Sequence, residues 1–374
     1  MSGVVALAAG GTGGHLYPAE AVAGELMRRD FAVALLTDPR SGAFAERIRE
    51  RLEGLRIYLL PSRPLAGGPA ALARGIFALA SGSLEARRIL RALAPQAVIG
   101  FGGYPSLPTM FAAAFLGLPT LVHEQNAILG RANRLLAPRA RRLALAFSET
   151  EGLRPKDRSR AVHTGNPVRP EILAFSGAAY NAPKIEGPIE VLVLGGSQGA
   201  RVLSEVVPAA FSGLPSAMRG ALKVSHQARR EDLTGVIEDY RKGAIAAEVE
   251  SFFEDVPLRL ARAHLVICRA GASTIAELAA IGRPAVLIPY PFATDDHQGA
   301  NARAFEKAGG GWVLDQSELD PERLKALFLD RISAPEALAK AAQNAARFGR
   351  REAAQRLAKL ALDCMGAARE GRAA

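Results

Sequence analysis

Three short stretches set glycine, histidine, arginine and glutamate where a phosphate, a sugar hydroxyl or a proton could be handled. The first, GGTGGHLYP, runs Gly10, Gly11, Thr12, Gly13, Gly14 and then His15. Glycines allow a sharp turn and let backbone amides approach an anion closely. A phosphate cradle needs no imidazole, so His15 is the residue to explain. With an ordinary pKa near ~6.5 it suits a general base; it could equally bind a phosphate or hydroxyl, or lie on the surface of a tight turn. The second stretch, GGSQGAR from Gly195, repeats the glycine loop. The third, RAGASTIAELAAIG, predicts a loop at Arg269–Ala272, a helix from about Ser273 to Ile281 and a glycine cap at Gly282. Its N-terminus offers unbonded amides and the positive end of a helix dipole. Glu277 shares a face with Ser273, either as a solvated helix residue or as an acceptor for a ribose diol.

These loops need strands to present them. VVALA before the first glycines reads as a buried strand, and Pro18 suits the first turn of the following helix. FAVALLT, RIYLLP, AVIGFGG, PTLVHEQ and RRLALAF continue as strands alternating with helical stretches, the pattern of a parallel sheet covered on both faces. LPTMFAAAFLGLPTLV, with its prolines, is too short and interrupted for a bilayer span of roughly 20 residues, and reads as a core helix over Thr109–Gly117 followed by a strand. A Pro-, Gly- and Asn-rich crossing, HTGNPVRPEILAFSGAAYNAPKIEGPIE, separates this half from a second that restarts at IEVLVLGGSQGARVLSEVV. The expected class is therefore α/β, with two similar halves. In open sheets of this kind ligands lie beyond the carboxyl ends of the strands.

The chain has 374 residues, more than one hydrophobic core usually serves. Two cysteines, Cys268 and Cys364, cannot build a disulfide framework or a zinc site, which fits a reducing cytoplasm; no signal-peptide pattern opens the chain. The net charge of +10 is lopsided: residues 1–165 hold 21 Lys and Arg against 12 Asp and Glu. Such a surplus points to anionic lipid, a phosphorylated substrate or nucleic acid, and the last is disfavoured because no nucleic-acid-binding motif is present.

The motifs GGTGGHLYP, GFGGYPSLP, HEQNAILGRANR, TGNPVR, GGSQGAR, RAGASTIAELAAIGRPAVLIPYP and DDHQGANA occur in one order. In that order they resemble the bacterial cell-wall N-acetylglucosaminyltransferases, which convert undecaprenyl-diphospho-muramoyl-pentapeptide (lipid I) into lipid II for peptidoglycan synthesis. The resemblance runs from about Val4 to Leu362. It implies a glycosyltransferase-B fold: two facing Rossmann-like domains, with NAARFGRREAAQRLAKLALDCM supplying the C-terminal helix that returns to the first. The implied domains are 1–165 plus about 347–366, facing acceptor and membrane, and 166–346, binding the donor UDP-N-acetylglucosamine. By residue match the resemblance puts Arg169, Ser197 and Gln198 at the diphosphate or nucleoside, Phe253 by the uracil, Ala272, Ser273 and Thr274 by the phosphates, Glu277 on the ribose and Gln298 on the sugar hydroxyls. Thr12, Gly13, Gly14 and Asn126 are implied to reach the donor from the first domain, and Tyr104 and Glu124 to lie in acceptor-side loops. Some relatives carry paired glutamines where this chain has His297-Gln298; His297 either takes over one hydroxyl contact or, the favoured reading, points to solvent.

No Asp-x-Asp pair is present and Asp295-Asp296 read as a helix start, so no metal and no cofactor are expected. Departing UDP is then stabilised by helix dipoles, loop amides and Arg169, while His15 takes the proton of the attacking hydroxyl and one displacement inverts the anomeric carbon. A nicotinamide dehydrogenase with Asp38 on the ribose, a UDP-N-acetylglucosamine 2-epimerase and a nucleotide-sugar sensor are the alternatives. The helical stretch 70–91 combines Leu72, Ile76, Phe77 and Leu79 with Arg74, Arg87, Arg88 and Arg91. It predicts peripheral binding of the first half to the anionic, cytoplasmic face of the inner membrane.

Overall fold

The computed structural model describes residues 3–63, 68–184, 187–196 and 199–373. The chain divides into two compact units, Met1–Arg169 with Arg351–Ala374, and Pro170–Arg350. The break falls inside the Pro-, Gly- and Asn-rich crossing.

In the first unit seven parallel strands form one sheet: β1 (Val4–Ala8), β2 (Ala32–Thr37), β3 (Arg56–Leu59), β4 (Ala97–Gly100), β5 (Thr120–Glu124), β6 (Arg142–Leu145) and β7 (Ala161–His163). Their order is β3-β2-β1-β4-β5-β6-β7. Strand periodicity explains why both faces are covered. Val5, Leu7, Val33, Leu35 and Ile99 point into one core, with the helix Gly13–Met27 and with Leu357, Ala358 and Ala361 of the last helix. Ala6, Ala8, Ala34, Leu36 and Val98 point into the other, against the helices Pro69–Leu93 and Ser106–Phe115. Continuous apolar runs are what such doubly covered strands require.

The second unit repeats the plan with β8 (Ile189–Leu194), β9 (Leu222–Gln227), β10 (Ala246–Glu250), β11 (Leu265–Cys268), β12 (Ala285–Leu287) and β13 (Gly311–Val313), ordered β10-β9-β8-β11-β12-β13. Both sheets therefore reverse direction beside their first strand, between β1 and β4 and between β8 and β11. These switch points are where doubly wound sheets open a crevice for ligands.

Three local expectations need correction. The first helix starts at Gly13, so Pro18 lies inside it and not in its first turn. His15 and Leu16 both donate their amides to the Thr12 carbonyl, which begins the helix five residues before the proline. His15 thus lies in the first turn of a helix and not on the surface of a tight turn. The core helix after the GFGG loop begins at Ser106, three residues earlier than expected, and ends at Phe115. The C-terminal stretch is two helices, Pro335–Phe348 and Ala353–Ala373, broken at Gly349. An added Cβ at Gly349 would come within 2.7 Å of the Ala279 carbonyl oxygen. The second of these helices packs on Gly13–Met27, within the first unit, whose C-terminal part is Arg351–Ala374.

Candidate active site

The first switch point gathers the loops after β1, β4 and β5. Gly11 donates its amide to Ser41 Oγ at 2.8 Å, and Ser41 in turn donates to Asp38 Oδ1 at 2.5 Å. Asp38 is fully buried and also accepts from Arg40 Nε at 2.7 Å. It shapes the glycine loop and is sealed away from any ribose, which removes the dehydrogenase reading. Thr12 is the exposed N-cap residue of the helix, and Gly13 and Gly14 head it.

His15 sits half-buried in the first turn, with Nδ1 3.2 Å from Gln125 Oε1. The other edge of its ring lies against Gly103, where an added Cβ would be 3.2 Å from Cδ2 and 3.3 Å from Nε2. Gly103 also holds φ +71°, the left-handed region, so glycine is needed there on two counts. Residues from the ends of three neighbouring strands thus meet at one imidazole. Tyr104 is partly buried and packs on the core beneath Ser106–Phe115.

Glu124 ends β5 and is 2% exposed. Its Oε1 accepts from the Asn126 amide at 2.9 Å and from Asn126 Nδ2 at 3.1 Å; its Oε2 accepts from the Gly130 amide and from Asn133 Nδ2, both at 2.8 Å. Four internal hydrogen bonds fill this carboxylate's acceptor sites. Glu124 is therefore a clamp on loop 125–130 that fixes Asn126. Arg169 lays its guanidinium 4.3 Å from the centre of the Tyr17 ring, on the helix that carries His15.

The second switch point lies after β8 and β11. Ser197 and Gln198 fall outside the described residues. After β11, Gly271 caps the helix Ala272–Ile281, which ends as expected on Gly282 in a left-handed conformation, φ +77°. Ser273 Oγ is buried without a hydrogen-bond partner among the described residues, while Thr274 is half-buried and Glu277 only 9% exposed. Gln298 Oε1 accepts from the Tyr290 amide at 3.0 Å. The half-buried His297 donates from Nδ1 to the Thr294 carbonyl at 2.8 Å, so it is tied to its own helix start and does not simply point to solvent. Phe253 is buried, and the Arg259 guanidinium covers its ring at 4.0 Å.

Three side chains of the two switch points escaped sequence reasoning. Arg269, at the carboxyl end of β11, is 8% exposed and donates to the carbonyls of Ile288 and Pro289 and to Gln316 Oε1. Burial pulls its pKa below the ordinary arginine value. A positive charge beside a helix N-terminus suits a diphosphate, and its place straight after an apolar strand was a usable signal. Gln125 and His123, flanking Glu124, were passed over because their partners lie far away in sequence. A cavity of about 430 Å³ opens over the first halves of β8, β9 and β10, away from these strand ends; its Arg259 is already paired with Glu248 and Asp255.

A model of the glycosyltransferase family 28 N-terminal domain matches residues 5–145, and one of the family's C-terminal domain matches 190–357. The chain belongs to glycosyltransferase family 28. It is 52% identical over 358 residues to the UDP-N-acetylglucosamine--N-acetylmuramyl-(pentapeptide) pyrophosphoryl-undecaprenol N-acetylglucosamine transferase of Paramagnetospirillum magneticum, covering 96% of this chain and 95% of that relative. The transferase of the same name from Rhodospirillum centenum is 49% identical over 97% of this chain and 94% of its own length. Among solved structures, Acinetobacter baumannii MurG aligns with TM-score 0.78 and 31% identity, over 96% of this chain and 99% of its own. The Neisseria meningitidis UDP-GlcNAc 2-epimerase aligns at TM-score 0.65 with 10% identity over 96% and 99%, a likeness of fold alone. The glycosyltransferase-B fold implied by the motifs is therefore the fold of this chain.

Proposed function

We propose that this family 28 enzyme transfers N-acetylglucosamine from UDP-N-acetylglucosamine to the C4 hydroxyl of the muramoyl sugar of lipid I, giving lipid II. The near-full-length identity to transferases of that name is the observation that carries the reading. His15 Nε2 takes the proton of the acceptor hydroxyl as the oxygen bonds to the anomeric carbon. The bond from that carbon to the diphosphate oxygen breaks, its electron pair leaves with UDP, and the configuration inverts. Developing charge on UDP is met by the N-terminus of Ala272–Ile281, by Ser273 and Thr274, by Arg169 and by Ser197 and Gln198. Glu277 takes the ribose diol and Gln298 the sugar. Phe253, its ring under Arg259, offers its main chain to the uracil. Thr12, Gly13, Gly14 and Asn126 complete the donor's surroundings. Tyr104 borders the acceptor, while Glu124 acts through Asn126.

The acceptor is a lipid, and no helix among the described residues is long and apolar enough to cross a membrane. On the helix Pro69–Leu93, Leu72, Ile76 and Phe77 are 42%, 56% and 75% exposed, while Leu79 is half-buried. Arg74, Arg87, Arg88 and Arg91 are exposed on the same helix. This patch supports reversible, salt-weakened binding to the anionic cytoplasmic face of the inner membrane, each basic residue adding about 1 kcal/mol near the surface. Sedimentation with anionic and neutral vesicles checks it, and equal binding to both at any salt refutes the electrostatic part.

Labelled UDP-N-acetylglucosamine, incubated with and without a lipid I analogue, tests the activity. UDP release that depends on the acceptor is the expected result; epimerised sugar without transfer would overturn it. His15→Ala should lower kcat by about 10²–10⁴-fold if the imidazole is the base. A change confined to KM would make it a binder.

A further inference from the structure

Gln125 is 1% exposed, and its side-chain nitrogen faces the Phe101 carbonyl at 2.8 Å, the His123 carbonyl at 3.3 Å and His123 Nδ1 at 3.0 Å. Two of these neighbours are carbonyl oxygens, which only accept, so the amide's NH2 end must lie there. Its Oε1 end is then the one 3.2 Å from His15 Nδ1, and an oxygen that only accepts requires that Nδ1 carry a hydrogen. The far end of the chain agrees. His123 Nε2 lies 3.1 Å from the Gly165 carbonyl, so it donates there, and Nδ1 of the neutral ring is left to accept from Gln125. Complete burial pushes the pKa of His123 down to about 4, so the ring stays neutral near pH 7. A protonated His123 would turn its Nδ1–H against the Gln125 NH2.

We propose that His123 and Gln125 are positioning residues that hold neutral His15 in its Nδ1–H tautomer and so keep the lone pair on Nε2, the atom beside Gly103 that receives the proton. The proposal rests on the reading of His15 as the general base. Donation runs in one direction through the whole relay. Gly165 O accepts from His123, His123 Nδ1 accepts from Gln125, and Gln125 Oε1 accepts from His15. When Nε2 takes the hydroxyl proton, the imidazolium keeps its Nδ1–H bond to Gln125, and neutral His123 adds no opposing charge. A ring hydrogen-bonded in this way is held in one tautomer and one orientation; the wrong tautomer would put a proton where the lone pair is needed.

Long-range 1H–15N correlation spectra of histidine-labelled protein, with His15→Gln and His123→Gln variants to identify the signals, read the tautomers directly. At a pH where both rings are neutral, His15 is expected as Nδ1–H and His123 as Nε2–H. Gln125→Met, similar in length but without hydrogen-bonding groups, should give His15 mixed tautomers and a kcat lower by about 10²-fold, with KM for UDP-N-acetylglucosamine unchanged. The change of tautomer is a signature that a purely structural role would not produce. An Nε2–H tautomer for His15 in the parent protein, or an unchanged Nδ1–H tautomer in Gln125→Met, overturns the proposal. If His15→Ala spares kcat, the base reading itself fails, whichever tautomer is found. If His15→Ala abolishes turnover while the spectra show Nε2–H, only the relay fails.

Discussion

Replacing Glu124 with glutamine keeps its shape and removes one acceptor oxygen. Either orientation of the new amide turns an NH2 toward two donors. One orientation faces the Asn126 amide and Asn126 Nδ2; the other faces the Gly130 amide and Asn133 Nδ2. Two hydrogen bonds to a charged acceptor are lost, each contributing roughly 1.5–3 kcal/mol, so the cost is about 3–6 kcal/mol. Stability of that order is a large part of the ~5–15 kcal/mol that holds a domain together. At about 2–4 °C per kcal/mol for a domain of this size, the first unit should melt roughly 6–24 °C below the parent. Calorimetry reads the melting shift. Hydrogen exchange at the amides of Asn126 and Gly130 localises it, because one of the two loses its acceptor directly, whichever way the new amide turns. Turnover should fall as well in the orientation that turns the NH2 toward Asn126. A Glu124→Gln protein that melts with the parent and keeps its amides protected would refute the clamp. If that variant also lost kcat, Glu124 would instead act on the acceptor.

Two further outcomes follow from buried charge and ring stacking. His123 and His226 are neutral in the fold, with pKa values pushed down by burial to about 4 and about 3. Once unfolded they take up protons below ~6.5, so the unfolded state binds more protons and stability falls as pH drops from ~6.5 toward 4, by up to ~1.4 kcal/mol per pH unit for each ring. Urea unfolding at pH 7.5 and pH 5 should show the loss, and His226→Leu should flatten it in the second unit; an unchanged slope counts against the buried neutral ring. Arg169→Ala should weaken UDP binding about 10–100-fold by calorimetric titration, from one charged hydrogen bond of roughly 1.5–3 kcal/mol. Tyr17→Leu, which removes only the ring beneath that guanidinium, should cost less; equal affinity in Arg169→Ala would place the diphosphate elsewhere.

Much of this protein was legible in its sequence because the signals are local. Apolar runs ending in glycine loops mark β1, β8 and β11 and the helices behind them, and Gly282 caps its helix where the pattern put it. What failed locally failed for a local reason: Pro18 fits a helix start, yet the Thr12 carbonyl had already begun the helix at Gly13. The site chemistry lay beyond any such signal. His15 and Gln125 are 110 residues apart, and they meet because the sheet places β4 beside β1 and β5 beside β4. That order is set by burying apolar side chains on both faces of the strands, which no short window of sequence contains. The same packing fills the acceptors of Glu124 from residues up to nine positions away and buries Arg269 against the end of β12. Sequence determined which residues could do chemistry. Tertiary structure decided which of them hold substrate-facing positions and which hold the others in place, because hydrogen-bond direction exists only once donor and acceptor are brought together.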